Sequence, residues 1–572
     1  MVHTLKRVYL YTAVTFALLF TAGFTINLLV TLFHAAGLLQ HYTYYDGTGI
    51  VTQTASPPSG QAITESIVFF VIALVLVGLA FGGSHYWLIR RDARDDPQAN
   101  AGATRHIFLN GLMALSTLIA VPAGLIALSE IDQLNSSSDV ATPLSFALVF
   151  AGVFALVALE RARVKLAGRA AALLRQIHEV ALQGILLVFV SVMLYGALAA
   201  LIRWPLWANN LAAGNCNGVV YGPASTFSIP CPLPILGPVL QAVFALAAWW
   251  LYVWLGRGYW GAVLQRVLWY AALGLGIILF LAGVQQGVNL GLSALFGVEN
   301  AWQEALEGGL AFISLLLTGI LIALPYVFWL RRLAVQRPAL RPAIPQGMLA
   351  ILTAISAGFF LTGAAMVLDG LVEQVVPGGK PLRPDEWATA VSLFITGLGY
   401  VPLWLRLRRR SDPAQCSVIL PRRAYVLVLL LVTGISSLIA AVVLVFQLVA
   451  IPLNLDGASP TAERGSGVAL IVLGITALYH LLRLLSDLRV LRARAAAEAL
   501  PKPDLKALGA VLVTEPGAPA ETTSASAPAT PAPEPQPASA GPETLEDILR
   551  EVAAGALDPT TAAARIRGLP SL

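Results

Sequence analysis

The side chains able to carry chemistry are few, and their positions limit what that chemistry can be. His85, His106, His178 and His480 fall near the basic ends of long apolar runs. Two histidines on facing helices can ligate haem, and His85 and His480 occupy equivalent places near the start and finish of the apolar region. The plainer reading is an interfacial imidazole beside a belt of aromatic side chains, so no cofactor is expected. Gly283, Gly287 and Gly291 recur at a spacing of four, with Gln285, Gln286 and Asn289 beside them. Such a ladder lets a second helix approach closely while amides bond across the seam; the alternative use is a vestibule for a small ligand. No Gly-x-x-x-x-Gly-Lys-Ser/Thr, Gly-x-Gly-x-x-Gly, Cys-x-x-Cys or His-Glu-x-x-His pattern occurs in the chain, so neither enzyme chemistry nor a metal site is expected.

The elements that must position these groups follow from composition. Of 572 residues, 57% are hydrophobic and only 12% charged, against about 25% charged in soluble proteins. With a mean hydropathy of +0.75, the bilayer must be the solvent for most of the chain. Runs long enough to cross it lie at about 8–38, 62–89, 107–129, 140–159, 177–202, 234–255, 263–295, 305–330, 347–372, 387–405, 424–452 and 466–486. The expected fold is therefore all-α and integral to the membrane, with twelve spans inside residues 1–488. The first run is too long for the core of a cleaved signal peptide. Lys and Arg fall on one side of this alternation in 32 of 36 cases, the exceptions being Arg203, Lys380, Arg383 and Arg464. The positive-inside rule then places both termini in the cytoplasm of a multi-pass cell-membrane protein. Cys216 and Cys231 share the longest outer loop, where an oxidising compartment would favour a disulfide between them.

Ionisable groups cluster at span ends, and the midspan polar residues are hydroxyls such as Ser116, Thr117, Ser191, Thr318, Thr396, Thr433 and Ser436. These can bond back to their own helix, which counts against a buried proton relay. The spans pair into six hairpins, about 8–90, 107–160, 177–256, 263–331, 347–406 and 424–487. Even spans tend to end in Trp-Leu-x-Arg: Trp87 with Arg90, Trp254 with Arg257, Trp329 with Arg331 and Trp404 with Arg406. The last two intervals are both 75 residues, which suggests duplication of a two-helix unit in parallel orientation, although an aromatic belt with basic flanks would also give these pairs. The basic-aromatic entry Lys6–Tyr11 and the exit His85–Arg91 resemble the bacterial membrane unit known as domain of unknown function 5671. That resemblance implies a repeated two-helix architecture and no particular activity.

Beyond the spans, 489–513 is basic, and 514–542 is rich in Pro, Ala, Ser and Thr and reads as a disordered linker. Residues 543–572 regain helical spacing, with Leu545, Ile548, Leu549 and Val552 before Gly555, and Ile566 and Leu569 after Pro559. This segment resembles the SHOCT-like helical pairs of bacterial proteins, which implies oligomerisation or docking. A pair this short cannot bury a core alone, so its apolar stripe needs a protein partner or a second copy; nothing suggests nucleic acid. Two functions are thus expected: a non-catalytic scaffold or assembly component acting through its cytoplasmic tail, or a transporter or channel for a small neutral or weakly polar solute.

Overall fold

A computed structural model of the chain describes residues 2–38, 41–45, 50–54, 57–96, 103–130, 139–164, 169–212, 235–259, 262–298, 301–302, 310–375, 382–410, 416–453 and 460–497. The chain divides into two units, Met1–Leu512 and Val513–Leu572. The second lies outside the described residues, as do Cys216, Cys231 and the stripe of Leu545, Ile548, Leu549, Val552, Ile566 and Leu569.

Among the described residues, all in the first unit, twelve helices are long and apolar enough to cross a membrane. They are α1 (Val2–Ala35), α2 (Gly60–Asp95), α3 (Ala103–Ser129), α4 (Ala141–Arg163), α5 (Arg169–Ala212) and α6 (Leu236–Leu255). The series continues with α7 (Val263–Leu295), α8 (Ala311–Gln336), α9 (Ala343–Val375), α10, α11 (Cys416–Ala450) and α12 (Pro460–Ala497). Helix α10 runs Pro384–Gly397 and, after a two-residue break, Tyr400–Arg410. The fold is all-α and multi-pass. Large apolar side chains such as Leu79, Leu438 and Ile475 are about two-thirds exposed, an arrangement stable against acyl chains and costly in water.

Local chemistry sets the helix ends. Gly297 takes the left-handed φ of +75° just past α7, which a side chain would resist. There the Val298 amide donates to the Ser293 carbonyl at 2.9 Å and that of Gly297 to Ala294 at 3.3 Å, closing the carbonyls the helix leaves open. Ser59 caps α2 by accepting the Ala62 amide at 3.2 Å. Helix α8 starts at Ala311, six residues later than its hydropathy suggests, because Leu310 adopts φ +50° and stops the helix from reaching further back. One addition to the expected architecture is a hairpin between α1 and α2, in which β1 (His41–Tyr45) pairs antiparallel with β2 (Ile50–Thr54). Its alternating Tyr, Thr and Val residues favour extended backbone, but ten residues fall below any membrane-length window.

Each span packs most extensively on its chain neighbour: α1 on α2, α3 on α4, and so to α11 on α12. The central core joins Leu125 of α3, Leu186 of α5, Tyr252 of α6, Trp269 of α7 and Tyr326 of α8. Helix α9 carries α10, α11 and α12 on the far side. On the near side, α1 packs on α2 and α4. Within α2, Ala73–Gly83 is π-helical, an uncommon form concentrated at functional places.

Candidate functional site

At the arginine-rich end of the bundle the side chains form two connected charge clusters. Arg175, Glu179 and Gln183 follow one another at i, i+4 on α5, so they share a face. Glu179 accepts from Arg161 of α4, which forms an ion pair with its Oε1, and from Arg175 Nε at 3.0 Å. The Arg161 Nη1 also approaches Met113 Sδ of α3 at 3.3 Å. One turn further along, Gln183 Nε2 donates to the Tyr252 carbonyl of α6 at 2.9 Å, and its Oε1 accepts from Gln265 of α7 at 2.8 Å. Tyr252 completes the set through Thr117 of α3, hydroxyl to hydroxyl at 2.7 Å. Gly256 closes the floor, since a Cβ there would stand 2.5 Å from Gln183 Nε2. Arg161 and Glu179 are 3% and 1% exposed, so the charges are shielded from water as well as lipid.

The neighbouring residue carries the second cluster. Glu160 Oε2 accepts from the Tyr86 hydroxyl at 2.8 Å and from Arg90 Nη2 at 3.1 Å, both on α2, while Oε1 pairs with Arg105 of α3. Arg163 lies 3.8 Å from the same carboxylate. Five helices, α2 to α6, are thereby tied at one end, with Gln265 adding α7. At the other end Arg464, one of the four basic residues outside the main set, is matched by Asp369 at 2.9 Å and Glu373 at 3.2 Å. This arrangement holds charge rather than transferring it: carboxylates face guanidinium groups, which stay protonated.

The residues singled out from sequence fare unevenly. Gln285 donates to Ser392 Oγ of α10 at 2.9 Å, and Asn289 Oδ1 accepts from Thr389 at 3.4 Å. Gly283 and Gly287 lie against Phe312 of α8, whereas a Cβ on Gly291 would meet nothing within 4 Å, and Gln286 is exposed. The ladder is thus a packing seam over two of its three glycines. Replacing Gln285 with leucine should lower stability by about 1 kcal/mol, as interhelical side-chain bonds in membranes do; thermal unfolding in detergent measures it. Five of the named hydroxyls bond back to their own helix: Ser116, Thr117, Ser191, Thr318 and Thr433, at 2.7–2.8 Å.

The Trp-Arg pairs do not share one environment. Trp87 and Trp254 are 58% and 48% exposed, with Arg257 4.7 Å from the Trp254 ring and Arg331 and Arg406 exposed. Trp329 instead stacks on Trp249 with centroids 6.2 Å apart, and Trp404 is buried, its Nε1 donating to Tyr479 at 3.0 Å. The first two thus face outward, Trp404 belongs to the packed interior, and Trp329 is half-buried against the core. His480 lies in that interior against Trp404, its Nδ1 on the Thr476 carbonyl at 2.8 Å. His85 is turned instead to Tyr9 at 3.3 Å and to the Phe81 carbonyl at 2.7 Å, so the two histidines do not share an environment either. Among the described residues no group of three His, Cys, Asp or Glu side chains is placed to hold a metal ion.

Glu160 and Arg161 are not recognisable as partners in the sequence, where they are ordinary charges at the end of the hairpin 107–160. The signal available was the Arg175–Glu179–Gln183 spacing, which puts a carboxylate, one of its guanidinium partners and the amide that bridges to α6 and α7 on one helical face. No protein-family model, no curated protein and no solved structure matches the chain.

Proposed function

We propose that this chain is a non-catalytic membrane scaffold or assembly component, whose bundle anchors it in the cell membrane and whose cytoplasmic tail recruits a partner or a second copy. The observation that carries the reading is that its buried ion pair and several of its buried amides and hydroxyls are bonded within the bundle. Arg161 pairs with Glu179, Gln183 bonds Gln265 and the Tyr252 carbonyl, and five of the named midspan hydroxyls turn to their own carbonyls. A transporter for a weakly polar solute would instead need such groups facing a shared path. The bias of basic residues supports cytoplasmic termini, and the sequential pairing of spans fits descent from a duplicated hairpin.

The tail is tested on the full-length chain in intact cells. A membrane-permeant crosslinker should capture a discrete complex that an impermeant one does not, and deletion of 543–572 should abolish it. An unchanged complex after the deletion, or capture by the impermeant reagent, overturns the proposal.

A further inference from the structure

Helix α2 packs along α1 but meets α4 at its arginine-rich end, through Tyr86 and Arg90 on Glu160. Between the two contacts a cleft of about 780 Å³ opens among α1, α2, α3 and α4, within the size of ligand pockets, about 300–1,000 Å³. Its walls include Leu18, Ala22, Leu74, Gly78, Val149 and Gly152. The threonine hydroxyls on the α1 wall are bonded to their own helix: Thr21 donates to the Ala17 carbonyl and Thr25 to that of Thr21, each at 2.8 Å. From Tyr11 to Leu29 the α1 wall covers nineteen residues, about 27 Å over eighteen steps of 1.5 Å. That exceeds the depth of one leaflet, about half of a 30 Å hydrocarbon core. The π-helical stretch of α2 supplies Leu74, Gly78, Gly82 and Gly83 to this wall.

The cleft is apolar along its length and charged at one end only. There Arg90, Arg105 and Arg163 surround the single carboxylate of Glu160, leaving two positive charges in excess. Arg163 is the most available of them, with its side chain 66% exposed and its guanidinium 3.8 Å from the carboxylate. An apolar slot of acyl-chain depth that ends in unneutralised guanidinium groups has the chemistry of one molecule class. We propose that the cleft holds a resident anionic phospholipid, its acyl chain between α1, α2 and α4 and its phosphate on Arg163, which lines the slot at its charged end. Guanidinium groups offer paired donors to phosphate oxygens, and basic pockets between spans recognise anionic headgroups. The lipid also fills space that α2 does not fill by packing on α3 and α4.

The test uses the full chain, stripped of lipid in detergent and equilibrated with vesicles of equimolar dioleoylphosphatidylglycerol and dioleoylphosphatidylcholine. After re-extraction, native mass spectrometry counts the lipid retained. The wild-type chain should keep a single phosphatidylglycerol in preference to phosphatidylcholine. Arg163→Gln, an exposed change, should lower that preference about fivefold, the effect of one basic residue near a membrane surface. Gly152→Phe fills the slot from a position where an added Cβ meets nothing within 4 Å, and should abolish retention of either lipid. Gly111→Phe, at an equally open glycine on α3 outside the cleft, should leave it intact. Equal retention of both lipids, an undiminished preference in Arg163→Gln, or unchanged binding in Gly152→Phe overturns the proposal. So does a wild-type dimer that Gly152→Phe dissolves, since the cleft would then be covered by protein.

Discussion

Glu179→Leu should destabilise the bundle by about 3–5 kcal/mol, the cost of leaving one member of a buried ion pair without its partner. Arg161 is 3% exposed and reaches no other carboxylate among the described contacts, since Glu160, its chain neighbour, is taken up by Tyr86, Arg90 and Arg105. Gln183 and Tyr252 lie in the next turn, so the loss should spread to the α5–α6 seam. The double variant Arg161→Met, Glu179→Leu separates charge from shape. Removing both charges and keeping the volume should recover most of the loss, because apolar replacements of buried pairs are often neutral or better. Unfolding in detergent, followed by helical circular dichroism with increasing sodium dodecyl sulfate, reads all three chains. A single variant as stable as the parent would show that water or lipid headgroups reach Arg161.

The second large effect belongs to the glycines where backbones touch. A Cβ on Gly397 of α10 would fall on the backbone of Phe360 in α9, and one on Gly363 of α9 on that of Phe394 in α10. The contact is reciprocal, and neither neighbour is a side chain that can swing aside. Gly397→Leu should therefore push the helices apart and cost about 3 kcal/mol, the upper part of the range for overpacking. Gly291→Ala is the contrast, because nothing lies within 4 Å of the added carbon. It should be neutral or stabilising by up to about 1 kcal/mol, from helix propensity alone. Both sites are glycines in apolar helices, so the thermal unfolding of the pair separates close packing from propensity. If both lose stability equally, the α9–α10 contact is looser than its geometry.

Much of the fold was legible before any coordinates. Nine of the twelve spans stand within four residues of their hydropathy limits, and α2, α5 and α8 depart by six or seven; a bilayer imposes one length and one polarity on every crossing segment. Two shifts have a local cause: the left-handed Leu310 before α8, and the continuation of α12 to Ala497 through a basic, alanine-rich stretch of high helix propensity. The packing use of Gly283 and Gly287 was also legible, since spacing four is a property of one helix face.

The site was less so. Hydropathy treats Arg161 and Glu179 as ordinary span-end charges, and their meeting depends on how α4 and α5 pack after the turn between them. Gly276 and Gly319 make another close backbone contact, between α7 and α8, which neither segment shows by itself. Trp404 carries the same local motif as Trp87 and Trp254 and ends in the interior, while Trp329 is half-buried against the core. The sequence alone determined how many times the chain can cross a bilayer and where its positive charge gathers, because both are sums over neighbouring residues. Which face of each helix turns inward, which carboxylate meets which guanidinium and where α2 stands away from α4 were decided by tertiary packing. Those outcomes depend on pairs of residues from different helices, and no single stretch of chain contains both members.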